Sequence, residues 1–274
     1  MAARNRRPHH RRMLTLTVRD TERISPHFVA VTLGGDDFHH LERTGYDQSG
    51  RLFFGDPGQD EVVLPSSERW MLQRTLQSAR QRPRVRSYSI RRFRPEASAF
   101  DIEISIHGPH DPAAASGTTA PGSVWALAAE PGDEVAFLDE GHSYRPVPQA
   151  AWQLLVGDES ALPAILAILE SSADALPAVV FLEVPGSEDI RSEVTAPTGT
   201  KIHWLPRDDS SVRPGTLALR AVKDARLPPG PFYAWAAGES SLAGGVRRHL
   251  VGERHVSRSD ITFHGYWRYG RASL

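Results

Sequence analysis

The 274-residue sequence contains no cysteine and only 3 methionines, and its net formal charge is −1. The missing thiols exclude a disulfide framework, a cysteine-ligated zinc or iron–sulfur centre and a cysteine nucleophile, so redox chemistry has to come from a bound cofactor. The balance of 32 Lys and Arg against 33 Asp and Glu excludes a general attraction to nucleic acid or anionic lipid, although residues 1–12 (MAARNRRPHHRR) form a local basic tail. That tail lacks the apolar stretch of a signal segment, and no window approaches about 18 consecutive apolar residues. The chain therefore reads as a soluble cytoplasmic protein with no membrane insertion and no nucleic-acid partner. Walker, H-E-x-x-H and G-x-S-x-G motifs are missing, and His9-His10 and His39-His40 have no carboxylates at ligand spacing, so no metal site is expected.

What is present divides into two rhythms. Short alternating or β-branched runs at 13–18, 28–33, 61–64, 86–91, 100–106 and 134–138, punctuated by Gly, Pro and Asp, predict a six-stranded antiparallel β-barrel over 13–147, preceded by the flexible tail 1–12. One helix is expected inside it, near 67–80 with Ser66 or Ser67 as N-cap, and 111–123 reads as a flexible loop of small residues. Over 148–274 apolar strands at 152–157, 178–184, 201–204, 232–237 and 261–267 alternate with helices, one with Leu162, Ile165, Leu166 and Leu169 at helical spacing and others at 215–225 and 240–252. That predicts a three-layer α/β domain with a parallel sheet, and a cleft between the two domains is the expected active site.

The strongest local signal is Arg86-Ser87-Tyr88-Ser89-Ile90-Arg91. Alternation puts Arg86, Tyr88 and Ile90 on one face, offering a cation and an aromatic plane, with hydroxyls from Ser87 and Ser89 on the other. A large anionic cofactor such as a flavin dinucleotide needs all three; the plainer alternative is an edge strand with solvated arginines. His107-Gly108 at a strand end and the Gly122-Ser123 turn are phosphate-cradle candidates, with Trp125 read as either core or stacking partner. Gly157-Asp158-Glu159-Ser160 occupies the strand-to-helix turn where dinucleotides dock, although it is not G-x-G-x-x-G; helix capping is the alternative. Glu183 suits ribose hydroxyls or a solvated strand end. Gly238-Glu239 and Tyr266-Trp267-Arg268 close the remaining strands.

Together these segments resemble the siderophore-interacting protein family, a branch of the ferredoxin-reductase-like flavoproteins, from about residue 12 to 272. The marks are Arg86-x-Tyr88-Ser89, His107-Gly108, Ser123–Ala126, GDESALPAI at 157–165, WAAGE at 235–239 and GYWRYG at 265–270. The resemblance implies an FAD-binding barrel, an NAD(P)H-binding domain and reduction of a ferric siderophore, releasing Fe(II) in the cytoplasm. It further implies that Arg86 pairs with cofactor phosphate, Tyr88 packs on the isoalloxazine and Ser89 lies near its reactive nitrogen. His107 and residues 122–125 would hold the rest, and Asp158, Glu159, Ser160, Gly238 and Glu239 would border the nicotinamide. Ala120-Pro121-Gly122 and the DEGHSY stretch at 139–144 depart from the family pattern. Arg51, Arg69, Arg74, Arg80, Arg82 and Arg84 around the inserted helix, with Tyr266, Trp267 and Arg268, are the candidates for an anionic ferric chelate. The donor stays open between NADPH, NADH and a ferredoxin: Glu183 favours NADH, Arg191 and Arg207 a 2′-phosphate. A monomer is expected. The competing readings are a flavoenzyme of secondary metabolism on the same scaffold and a non-catalytic siderophore-binding module.

Overall fold

A computed structural model describes residues 6–106, 120–171, 176–209 and 211–270. The chain forms two compact units, Asn5–Thr44 with Gln48–His142, and Gly45–Asp47 with Ser143–Ser273. The boundary thus falls before 147, and a three-residue piece of the first half belongs to the second unit. The reason is Asp47: its carboxylate accepts hydrogen bonds from Ser143 N (2.9 Å), Tyr144 N (2.8 Å) and Trp235 Nε1 (3.1 Å).

The first unit is a closed barrel, in the order β1-β2-β5-β4-β3-β6, of β1 (Met13–Ser25), β2 (Phe28–Gly34), β3 (Ser49–Phe54), β4 (Arg84–Arg94), β5 (Ala99–Ser105) and β6 (Glu134–Gly141). Alternation supplies its core: Leu14, Leu16 and Val18 of β1 meet Val29, Val31 and Leu33 of β2 and Phe100, Ile102 and Ile104 of β5. The expected strand at 61–64 does not form. Its place is taken by β3, which pairs with both β4 and β6, so the barrel closes and leaves Val62 and Val63 no ladder to join. The inserted helix α1 is shorter than expected (Trp70–Leu76), and Arg69 is its N-cap without a side-chain bond. Ser66 instead accepts from Gln73 Nε2 at 3.2 Å. Residues 121–123 are not loop but the first turn of α2 (Pro121–Ala128), where Pro is tolerated because its missing N–H has no helical partner there.

Residues 6–12 are not a flexible tail either. Arg6 and His142 exchange backbone hydrogen bonds (2.7 and 3.3 Å), Arg11 pairs with Glu140 and donates to Asp139 O at 3.1 Å, and the His9 and His10 amides reach Glu42 at 3.4 and 3.3 Å. Gly141 permits this strap: its φ is 76°, and a Cβ there would stand 1.9 Å from the Arg6 carbonyl oxygen. Gly141→Ala is therefore expected to peel the strap away and speed tryptic cleavage at Arg11 and Arg12 by at least about fivefold. An unchanged digestion rate would contradict the docking.

The second unit is a five-stranded parallel sheet in the order β11-β10-β7-β8-β9, made of β7 (Trp152–Gly157), β8 (Ala178–Val184), β9 (Lys201–Pro206), β10 (Phe232–Glu239) and β11 (Ile261–Trp267). Helices α4 (Thr216–Asp224) and α5 (Ser240–Gly252) share a core with Leu154, Val156, Ala234 and Ala236. Helix α3 (Leu162–Ser171) covers the other face, since Gly157, of opposite parity to Val156, lies against its Ile165. Strands buried on both faces explain the continuous apolar runs that made this half legible.

Candidate functional site

In the barrel unit, β4 carries Arg86 and Tyr88 to the first turn of α2. A Cβ built on Gly122 would lie 2.1 Å from the Tyr88 hydroxyl and 3.8 Å from Arg86 Cγ, an approach only glycine allows. Burial lowers the pKa of the Arg86 guanidinium and pushes the Tyr88 phenol well above the ordinary range. Arg86 is half-buried, and its hydrogen bond goes to its neighbour's carbonyl, Val85 O at 2.7 Å. Among the described residues no carboxylate forms a salt bridge with it; Asp56, which acts on it electrostatically, is itself paired with Arg84 at 2.8 Å. A partly desolvated cation with no carboxylate partner among the described residues, beside a glycine at a helix start, suits a phosphate. The residues present therefore fit a flavin dinucleotide.

The other barrel candidates separate. Ile90 belongs to the buried core, Trp125 is 4% exposed with its ring 4.9 Å from Phe54, and Ser123 Oγ donates to Ser105 O at 3.3 Å. These three side chains pack the barrel rather than present a binding surface, because β4 turns Ile90 inward and α2 plugs the core with Trp125. Ser89 is half-buried opposite Ser49. His107 and Gly108 lie outside the described residues. Of the arginines, Arg51 pairs with Glu140 (2.9 Å) and covers the Trp70 ring (5.1 Å), and Arg84 is held by Asp56, whose hydrogen bond raises its pKa. Arg74 donates to Pro83 O (2.8 Å) and Arg82 to Gln77 O (3.0 Å), while Arg69 and Arg80 are exposed.

At the carboxyl ends of β7, β10 and β11 the second unit gathers Asp158, Ser160, Gly238, Glu239 and Trp267. Asp158 is fully buried; its carboxylate accepts from Ser160 N (3.0 Å), Ser160 Oγ (2.6 Å), Glu239 N (2.6 Å) and Trp267 Nε1 (3.2 Å), and Gly238 lies against it. Burial, with Glu159 next to it, pushes the Asp158 carboxyl up to about 7 against those hydrogen bonds. Glu239 caps α5 through Ser241 and accepts from Arg213 Nη2 (2.9 Å) and Tyr269 N (3.2 Å). Burial raises its pKa, but these bonds prevail and hold it at about 2. Tyr266 and Arg268 are exposed.

Glu159 turns elsewhere. Both its oxygens meet Arg207 (2.8 and 2.9 Å), and Arg207 also reaches Glu183 at 2.9 Å. Glu183 is fully buried, neither a solvated strand end nor open to a ribose: its carboxylate also takes the Gly215 and Ala218 amides (2.8 and 2.9 Å), capping α4. Arg207, read from sequence as a contact for a 2′-phosphate, is the cation of this network. Two acids in otherwise apolar strand ends signalled that some arginine had to neutralise them.

The Asp158 shift has a measurable consequence. A carboxyl whose folded pKa is raised from 3.8 to about 7 binds its proton more tightly in the folded state, so its stabilisation is full below the unfolded pKa and is lost as pH rises toward 7. Asp158→Asn should flatten the dependence of melting temperature on pH between about 4 and 7. A slope equal to that of the wild type would refute the assignment.

The barrel and the parallel α/β unit form a ferredoxin-reductase-like fold. The ferredoxin reductase of carbazole 1,9a-dioxygenase shares the fold with a TM-score of 0.61 at 15% identity, over 93% of this chain and 69% of that one. Family models narrow this: the siderophore-interacting FAD-binding domain matches residues 17–144 and the siderophore-interacting protein model matches 150–270. The chain belongs to the siderophore-interacting protein family. It is 30% identical to the ferric vibriobactin reductase ViuB of Vibrio cholerae, over 90% of this chain and 86% of that protein. A siderophore utilization protein from T. fusca has a TM-score of 0.77 at 31% identity, covering 96% of this chain and 95% of that one.

Proposed function

We propose that this protein is a flavin-dependent ferric-siderophore reductase that draws electrons from a reduced nicotinamide and releases Fe(II) for iron assimilation in the cytoplasm. The observation that carries the reading is Arg86: a half-buried guanidinium with no carboxylate partner among the described residues, beside Tyr88 and the first turn of α2. Bound FAD supplies the conversion of one two-electron donor into two one-electron deliveries that Fe(III) requires. Overall, one NAD(P)H and two ferric chelates give NAD(P)⁺, a proton and two ferrous ions. In this reading Arg86 neutralises the cofactor phosphate, Gly122 leaves room for it, Tyr88 offers its ring and Ser89 a hydroxyl. The strand ends carrying Asp158, Ser160 and Glu239 border the donor, and Tyr266 and Arg268 face the anionic chelate. Reduction itself loosens the metal, because hard oxygen ligands hold the lower charge less tightly. The protein then needs no metal ligands of its own. Arg207 and Glu183 are both engaged internally, so neither selects between NADH and NADPH.

The test is anaerobic. Mixing the purified, FAD-loaded protein with each nicotinamide should bleach the flavin, and adding a ferric siderophore with a ferrous-specific trap should restore the oxidised spectrum while the trap colours. No bleaching with either donor defeats the nicotinamide assignment; bleaching without trapped Fe(II) defeats the siderophore assignment.

A further inference from the structure

Helix α1 wears its faces reversed. Trp70, Gln73, Arg74 and Gln77 turn inward against Phe53, Pro65, Pro83 and Val85, with Trp70 meeting Phe53 edge-on at 5.2 Å. Met71, Leu72 and Leu76 turn outward, 65%, 60% and 82% exposed. At about 100° per residue these three and Thr75 share one side of the helix. Val63 is also exposed, at 46%, and Gln77 Nε2 ties its carbonyl to the end of the helix at 2.8 Å, outside this face. Three of the seven large apolar side chains exposed among the described residues therefore lie on one side of a single short helix, so this is a patch and not scatter.

The border of the ridge is cationic. Residues 62–84 contain five arginines and a single acid, Glu68. Glu68 lies 3.8 Å from Arg11, and Arg84 is taken by Asp56; Arg69, Arg80 and Arg82 stand exposed around the helix. The near-neutral total charge hides this concentration.

We propose that the α1 ridge docks the protein on an anionic lipid surface, with Met71, Leu72 and Leu76 entering the boundary between headgroups and acyl chains and the arginines meeting lipid phosphates. The geometry favours a bilayer over a protein partner. Three exposed apolar side chains on a seven-residue helix fall far short of the roughly 20–30 residues a side of a stable protein interface. Reversible adsorption to a bilayer needs only a few apolar side chains and a basic rim, because each arginine adds its own attraction to the negative surface. No helix among the described residues is long and apolar enough to cross a membrane, so the contact is peripheral.

Sedimentation of the full-length, FAD-loaded protein with vesicles of phosphatidylcholine alone, or of phosphatidylcholine with phosphatidylglycerol, tests this. Binding is expected to the mixed vesicles at low salt, falling by about tenfold or more at high salt, where exposed charges are screened. Met71→Ser/Leu72→Ser/Leu76→Ser should abolish it with the melting temperature retained, because the helix packs through its other face. Arg69→Gln/Arg80→Gln/Arg82→Gln should erase the preference for the anionic lipid. Failure of the wild type to sediment at low salt, or a triple serine variant that binds like the wild type, overturns the proposal. So does concentration-dependent self-association that vanishes in the serine variant while vesicles go unbound, which would make the ridge a contact between copies of this chain.

Discussion

Arg86→Ala and Tyr88→Ala are each expected to purify with far less flavin than the wild type, and the double variant with almost none. Hydrogen bonds to a charged group contribute about 1.5–3 kcal/mol each, so losing even one from Arg86 should weaken FAD binding by about 10- to 150-fold. Arg86→Lys keeps the charge but not the planar fork, and should fall between. A structural role for Arg86 predicts something else. Its partly desolvated cation has no salt-bridge partner among the described residues, so removing it should leave the melting temperature of the flavin-free protein unchanged or higher. Gly122→Ala reaches the same site from the opposite side: its new Cβ would lie 2.1 Å from the Tyr88 hydroxyl, which drives the ring or the α2 turn out of place. Flavin titration followed by absorbance, with melts of the flavin-free proteins, separates these outcomes. Wild-type affinity in the double variant would place the cofactor elsewhere.

Arg207→Met is expected to be the most destabilising single substitution in the second unit. The side chain of Arg207 is 8% exposed and those of Glu159 and Glu183 are 0% exposed. Burial lowers the guanidinium's pKa, and the two carboxylates more than reverse this and hold it above its ordinary value. Breaking a buried ion pair from one side strands the other charge and costs about 3–5 kcal/mol, a large part of the roughly 5–15 kcal/mol that stabilises a domain. The loss corresponds to about 6–20 °C in melting temperature. The stranded carboxyls would then bind protons more tightly in the folded state, so the variant should regain stability as pH falls. Glu159→Gln/Glu183→Gln added to Arg207→Met should restore part of the loss, because partners in one network are not additive. A melting temperature within a few degrees of the wild type would show that Arg207 is not the counterion.

How much of this was readable in advance depends on the range of the interactions concerned. Strands β7 and β8 lie where their apolar runs place them, because burial on both faces writes itself into neighbouring residues, and edge strand β11 and helix α5 lie where their turn signals place them. β3 was hidden. Its SGRLFF carries a glycine and an arginine, whereas Glu61–Leu64 has better strand composition and no strand to pair with. Strand propensity is local, but pairing is decided by which edges the rest of the barrel leaves open.

The same division holds at the site. That Arg86 and Tyr88 share one face of β4 was legible, because two side chains on one face of one strand are a local fact. That Gly122 closes on Tyr88, that Asp47 binds Trp235, and that Arg207 neutralises Glu159 and Glu183 were not legible, since each joins residues far apart in the chain. By itself the sequence determined that redox chemistry requires a cofactor and that a barrel precedes a parallel sheet, and it offered Arg86-x-Tyr88-Ser89 as a candidate place for the flavin. Only the tertiary structure decided which charges are neutralised inside and which remain available. That choice depends on distances of a few ångströms in a low-dielectric interior, where an unpaired ion is costly and chain order is no guide to its partner.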